Sequence, residues 1–231
     1  MKFEVKPYGA DAVLLSFGDE ISLDMHNQVK QLYAELRNYA KKGIRAVIPG
    51  YCTVTILFEP KMVSLNEVVE LSKNIVDNNK VQEGKKYKVR IPVCYDKQFA
   101  LDWGVVCDYT GLNWEEVVEL HCRNEYLVYM LGFVPGFLYL GGLNEQIRVP
   151  RKSSPRLNIP KGAVGLADNQ TGVYPSETPG GWQLIGNAPV ELIGVNTALV
   201  EMGDYLEFFP ITKKEHASYS KQIQRILVNE N

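Results

Sequence analysis

Four cysteines and three histidines in 231 residues leave little for a metal to hold. Cys52, Cys94, Cys107 and Cys122 lie far apart with no C-x-x-C pair, so neither a zinc site nor a disulfide framework is expected, only free thiols. An excess of charge of one sign is also missing. Lys plus Arg number 25 against 27 Asp plus Glu, a net of -2, so no basic surface awaits a nucleic-acid backbone. No apolar run approaches the roughly 18 residues of a membrane-spanning helix. The opening MKFEVKPYGADAVLLSFG lacks the apolar region of a secretory signal, and a cytoplasmic protein without a membrane partner is expected. No phosphate-binding G-x-x-x-x-G-K-[ST], no G-x-S-x-G and no H-E-x-x-H occurs, so no catalytic residue is assigned and no protein-bound metal is expected.

What is present divides into two patterns. Residues 1–84 read as a small α+β domain with two helices on an antiparallel sheet. FEVK and AVLLSF are short strands broken by PYGAD, and IRAVIPGYCTVTILFEP is a strand pair around Pro49-Gly50. Between them, Met25, Val29, Leu32 and Leu36 form a helical stripe with Ser22 as N-cap and Gly43 as stop. A second helix runs from Ser64 to Asn79, with Ser64 and Glu67 at capping-box spacing. The polar tract DNNKVQEGKK marks the boundary. Residues 85–231 carry one clear helix, WEEVVELHCR capped by Asn113, among short strands KVRIPVCY, YLVYML, GAVGLA, WQLIG, VELIG and YLEFFPI. Gly and Pro between those strands argue a closed or nearly closed β-barrel. The tail HASYSKQIQRILVNE reads as a terminal helix. His26 and His216 fall at polar helical positions and are expected to be solvated. His121 ends a helix, where the dipole favours a cation, and leads into the Gly/Pro-rich region.

Three clusters there carry the functional signal. LGFVPGFLYLGGL at 131–143 places Phe133, Pro135, Gly136 and Phe137 in a stiffened turn; taken alone, Phe133, Phe137 and Tyr139 read as core before ligand platform. VPRKSSPRLNIPKG at 149–162 sets Arg151 and Arg156 each behind a proline, which limits the entropy lost when a guanidinium grips a carboxylate or phosphate; a solvated basic loop is the alternative. YPSETPGGWQLIG at 174–186 turns sharply at Pro179-Gly180-Gly181, between Tyr174 and Trp182-Gln183. Trp182 either tucks back into the barrel or forms an aromatic wall of a small-molecule pocket at its mouth, and the second is expected.

In this order and spacing the clusters resemble the allophanate hydrolase subunit 1 family. The matching residues are His121, Tyr126, GFVPGFLYL, PRKSSPR, IPKGAVGLA and QTGVYPSETPGGWQLIG. Members of that family include the B-type subunit of bacterial ATP-dependent 5-oxoprolinase, an inhibitor of a sporulation histidine kinase, and part of the carboxyltransferase region of urea carboxylase. The resemblance implies an α+β N-terminal domain followed by a cyclophilin-like β-barrel. It implies a reaction in which 5-oxo-L-proline, ATP and two waters give L-glutamate, ADP and phosphate, with magnesium accompanying the ATP. The partners implied are a cyclophilin-like C-type subunit and a separate A-type subunit, this chain being inactive alone. Arg151 and Arg156 would then hold phosphate or substrate carboxylate, with the TPGGW turn and Phe137 shaping the pocket. The alternatives are a kinase-inhibiting binding module and a carboxyltransferase component. One departure stands out: Asn187-Ala188-Pro189 occupies a place where the family carries arginine and threonine before the proline.

Overall fold

The computed structural model describes residues 3–78, 86–194, 198–220 and 222–228. Its backbone divides into two compact units, Met1–Gly84 and Lys85–Asn231.

The first unit is a four-stranded antiparallel sheet with two helices. Strands β1 (Glu4–Pro7) and β2 (Ala12–Ser16) form a hairpin, followed by helix α1 (Leu23–Leu36), strands β3 (Ile44–Pro49) and β4 (Thr53–Phe58), and helix α2 (Leu65–Asn78). The sheet order is β1-β2-β4-β3. Along β4 every second residue is buried, the period that a strand with one covered face requires. Ser22 caps α1 by accepting from Met25 N–H, and after a 3-10 turn over Arg37–Lys42 the left-handed Gly43 closes the segment. Ser64 and Glu67 form the expected reciprocal cap of α2, with Ser64 N–H donating to Glu67 Oε2 at 2.8 Å and Glu67 N–H to Ser64 Oγ at 3.3 Å. Asn79, the expected end of that helix, lies outside the described residues. The stripe of α1 is corrected in one place: the buried positions are His26, Val29, Leu32 and Leu36. His26 is therefore core rather than solvated, because three residues before Val29 it falls on the same helical face.

The second unit is built on an eight-stranded sheet. In chain order it contains β5 (Tyr87–Val93), α3 (Trp103–Thr110), α4 (Trp114–Arg123), β6 (Glu125–Leu131), β7 (Leu138–Gly141) and β8 (Arg156–Ile159). There follow β9 (Ala163–Ala167), β10 (Gln170–Val173), β11 (Thr178–Gly180), β12 (Gln183–Asn187), β13 (Tyr205–Pro210), α5 (Lys213–Ala217) and β14 (Arg225–Leu227). The large sheet runs β12-β9-β10-β7-β6-β13-β5-β14, while β8 and β11 pair separately. The barrel is not a closed ladder. β5 and β12 meet through one bridge just past the end of β5, where Cys94 and Asn187 exchange N–H to O bonds of 2.9 and 3.0 Å. The remainder of that edge of β5 is taken by β14.

Three expectations are corrected here. Helix α3 carries no sequence signal, because Val105 and Tyr109 face solvent and only Val106 is buried, which leaves no apolar stripe to read. VELIG is not a strand; Ile193 makes a lone bridge to Ala198. The tail is not one helix but the five-residue α5 and the strand β14. Arg225 holds that strand by bonding Asp204 at 2.8 Å and lying 4.2 Å over the Tyr87 ring, contacts that outweigh local helix propensity. Residues 221 and 229–231 of the tail lie outside the described residues. All four cysteines are free thiols, Cys52 and Cys94 buried and Cys107 and Cys122 half-buried.

Candidate functional site

Strands β9, β10 and β12 are buried on both faces. Val164, Leu166, Val173 and Ile185 face the main core, while Ala163, Ala167 and Leu184 face a second, aromatic cluster of Phe137, Tyr174 and Trp182. Strand alternation therefore separates His121 from Phe137, Tyr174 and Trp182.

His121 lies on the main-core side, fully buried and stacked on Phe208 at 4.6 Å. Its neighbours define its protonation. Thr171 O–H donates to Gly165 O at 3.0 Å, so His121 Nε2–H donates to Thr171 Oγ1 at 2.9 Å, and Tyr95 O–H donates to Nδ1 at 2.7 Å. Cys122 S–H in turn points at the Tyr95 oxygen, at 3.4 Å. Every ring position is satisfied with the imidazole neutral. Burial lowers its pKa to about 3 from the ordinary 6.5. The cation expected from the helix dipole is thus overturned, since desolvation outweighs the dipole. His216 is corrected too: half-buried, it donates to Asn187 Oδ1 at 2.8 Å and lies 4.3 Å from the Phe99 ring.

The neutral His121 makes stability pH-dependent. Its folded pKa lies below the unfolded value, so the unfolded chain binds a proton that the folded one refuses, and stability present above pH 6.5 is lost as pH falls towards 3. The unfolding free energy is expected to drop by about 1 kcal/mol between pH 7 and 5.5 from this group. Urea midpoints at the two pH values, with His121→Gln as the control that removes this contribution, measure it. Equal slopes in the two proteins would place the cause elsewhere.

The aromatic candidates Phe137, Tyr174 and Trp182 gather on the opposite face. The six-residue connection from β6 to β7 forms a groove of about 260 Å³ lined by Phe133, Pro135 and Gly136 together with Leu131, Gly132 and Val134. Phe133 is 61% exposed and has a left-handed backbone, φ 65°, a conformation that costs a non-glycine residue free energy. Phe137 instead turns inward, edge-on to Tyr174 at 4.9 Å and Trp182 at 5.3 Å. Trp182 is only 5% exposed. Its side chain lies over Gly165 and Gly172: a Cβ would come within 3.0 Å of the Trp182 Cβ at the first and within 2.9 Å of the indole at the second, where the Leu138 carbonyl at 2.6 Å also excludes one. Tyr174 is held with its hydroxyl against Gly180, and burial pushes its pKa up to about 12.

The basic loop is already engaged. Arg151 pairs with exposed Asp168 at 3.2 Å, its guanidinium 5.9 Å from the Trp182 ring. Arg156 makes a fork on Asp102, Nη1 to Oδ2 at 2.8 Å and Nη2 to Oδ1 at 2.7 Å. Lys152 Nζ reaches Oδ1 at 3.2 Å, and Leu184 N–H donates to Oδ2 at 2.7 Å. Burial pushes the Asp102 carboxyl up, but Arg156, the Leu184 N–H and Lys152 together hold it below the ordinary carboxylate range. Sequence reading missed Asp102 altogether, since it stands 54 residues from Arg156 in a segment without a motif. Gln183 donates from Nε2 to Pro150 O at 3.0 Å, and Lys152 N–H donates to Gly181 O at 2.8 Å, so the turn at Pro179–Gly181 and the basic loop are tied together.

Comparison with known proteins adds to this geometry. The family described as carboxyltransferase domain, subdomain C and D, matches residues 3–199. The B-type subunit of the 5-oxoprolinase of Bacillus subtilis (strain 168) is 35% identical over 96% of this chain and 98% of its own length. That of Escherichia coli O157:H7 is 35% identical over 87% of this chain and 93% of its own. This chain belongs to the family of 5-oxoprolinase B-type subunits.

Among solved structures, TTHA0988 superposes with a TM-score of 0.77 at 31% identity, covering 87% of this chain but only 40% of that longer one. The Kluyveromyces lactis urea carboxylase gives 0.80 at 15% identity over 98% of this chain and 24% of its own, a likeness of fold alone. It agrees with the α+β, cyclophilin-like architecture, with the sheet left open. The departure from the family pattern at Asn187 has a structural place. Its backbone bridges to Cys94 at the seam between β5 and β12, while its side chain donates from Nδ2 to Lys161 O at 2.8 Å and accepts from His216 of α5.

Proposed function

We propose that this chain is a component of an ATP-dependent 5-oxoprolinase that converts 5-oxo-L-proline to L-glutamate together with A-type and C-type subunits. The observation that carries this is the near end-to-end match, at 35% identity, to the B-type subunit of the Bacillus subtilis 5-oxoprolinase. The lactam is a stable amide, and ATP supplies the activation that lets water open it. The basic loop offers little charge for a triphosphate. Arg156 and Lys152 share the single Asp102 carboxylate, which leaves one net positive charge, while Arg151 pairs with Asp168 and Lys161 with Glu191. Among the described residues no group of three or more His, Cys, Asp or Glu side chains could hold a metal ion. ATP and its magnesium therefore belong to the assembled complex, and this chain contributes binding and orientation of the small substrate through the groove at Phe133, Pro135 and Gly136 and the loop joined to Gln183.

Catalysis then requires partners, and the chain alone is inactive. In TTHA0988 the matching region is 40% of a longer chain, which supports a fold that works beside other domains. Among the described residues no helix is long and apolar enough to cross a membrane, and the use of ATP as co-substrate supports a cytoplasmic reaction. Glutamate and ADP formation from 5-oxo-L-proline and ATP, assayed with all three chains and with each omitted, tests the reading. Turnover that needs all three is the expected result. A folded, assembled complex without turnover, or full turnover lacking this chain, would remove it.

A further inference from the structure

The Asp102 carboxylate is 3% exposed, yet two cations share it, Arg156 and Lys152. Their side chains are about a quarter exposed, at 23% and 25%, so one positive charge is left over and reaches solvent. Both groups have N–H donors beyond those given to Asp102. A carboxylate that gathers two cations arranges them for a second anion, because each is already desolvated on one side and fixed in direction.

An independent observation lies one residue from the Leu184 N–H that Asp102 holds. Gln183 is 5% exposed, its Nε2 is committed to Pro150 O, and its Oε1 is buried with no hydrogen-bond partner among the described residues. The bond to a carbonyl fixes which end of the amide is which. A buried acceptor without a donor is uncommon in a folded protein and points to a group supplied from outside. The two segments are joined by the Lys152 N–H bond to Gly181 O at 2.8 Å, two residues before Gln183.

We propose that Lys152 and Arg156, positioned by Asp102, recognise a small carboxylate bearing an adjacent amide N–H, and that Gln183 Oε1 accepts from that N–H. In 5-oxo-L-proline the carboxylate and the lactam N–H sit on neighbouring ring atoms. Naming that compound as the ligand rests on the 5-oxoprolinase reading, whereas the chemistry of the site does not. Asp102 is a positioning residue: it acts on the ligand only through the two cations.

The test uses the assembled three-subunit complex with 5-oxo-L-proline as substrate and the neutral lactam 2-pyrrolidinone as competitive inhibitor. Lys152→Gln is expected to raise KM for 5-oxo-L-proline at least about tenfold with little change in kcat, as loss of a charge-assisted hydrogen bond requires. The inhibition constant of 2-pyrrolidinone should stay the same. Gln183→Leu should weaken both lactams. An unchanged KM in Lys152→Gln, or equal weakening of both lactams by it, would overturn the proposal and leave the 5-oxoprolinase reading intact. If the complex has no turnover at all, that reading fails and the site is judged alone, by calorimetric titration of the full chain with N-acetylglycine, a carboxylate with an adjacent amide N–H. Binding that Lys152→Gln abolishes sustains the site; absence of binding to the unaltered chain overturns it.

Discussion

Trp182→Ala is expected to lower the unfolding free energy of the second unit by about 3–5 kcal/mol, the cost of truncating a large buried aromatic in a well-packed core. Three rings meet the indole edge-on: Phe137 at 5.3 Å, Tyr139 at 6.0 Å and Tyr174 at 6.4 Å. Such pairs add to the area term. The floor beneath it is glycine, at 165 and 172, so no neighbouring side chain there can swing in to fill the space left by alanine. Urea unfolding followed by circular dichroism measures the loss. A ligand wall without a core role predicts the opposite pattern, an unchanged midpoint with activity gone, and that result would reverse the assignment.

Asp102→Ala should cost a comparable amount, about 3 kcal/mol, by a different route. Its removal leaves Arg156 and Lys152 close together without their shared anion, and it leaves the buried Leu184 N–H without its acceptor. Stranding buried partners costs more than the pair itself contributes. The quarter exposure of both cations lets water recover part of the loss, which places the figure at the low end of that for fully buried pairs. Asp102→Asn, which keeps one acceptor oxygen, should lose less. A thermal midpoint lowered by several degrees in Asp102→Ala, with the asparagine variant between it and the parent, is the expected order. Equal midpoints in all three proteins would show that the carboxylate holds nothing together. The carboxyl is depressed below its ordinary range, so its stabilisation is complete above the unfolded pKa, near 3.9, and is lost as pH falls through the lower folded value.

Both effects depend on contacts that no local pattern announces. The TPGGW turn is visible as a turn, yet whether its tryptophan faces ligand or core depends on glycines 165 and 172, which lie in other strands and are unremarkable there until the indole is placed over them. Arg151 and Arg156 look alike in PRKSSPR. In the fold one is exposed on a weak pair with Asp168, and the other is forked on a buried carboxylate. Their difference lies in partners 17 and 54 residues away.

By itself the sequence determined the features whose cause is local. Ser22 starts α1, Ser64 with Glu67 and Asn113 with Glu116 box the ends of α2 and α4, and alternation or helical spacing of apolar residues sets most strands and the two N-terminal helices. Caps and periodicities act within a few residues, so they are legible in order along the chain. Tertiary structure alone decided that α3 forms although Val106 is its one buried apolar side chain, and that the tail pairs with β5 rather than coiling. It also decided that His121 is a neutral core group bonded to Thr171, 50 residues on, and that Asn187 joins the sheet's two sides. These outcomes turn on burial and on pairing between distant segments. Desolvation and charge are properties of the packed neighbourhood, and that neighbourhood exists only once the chain has folded.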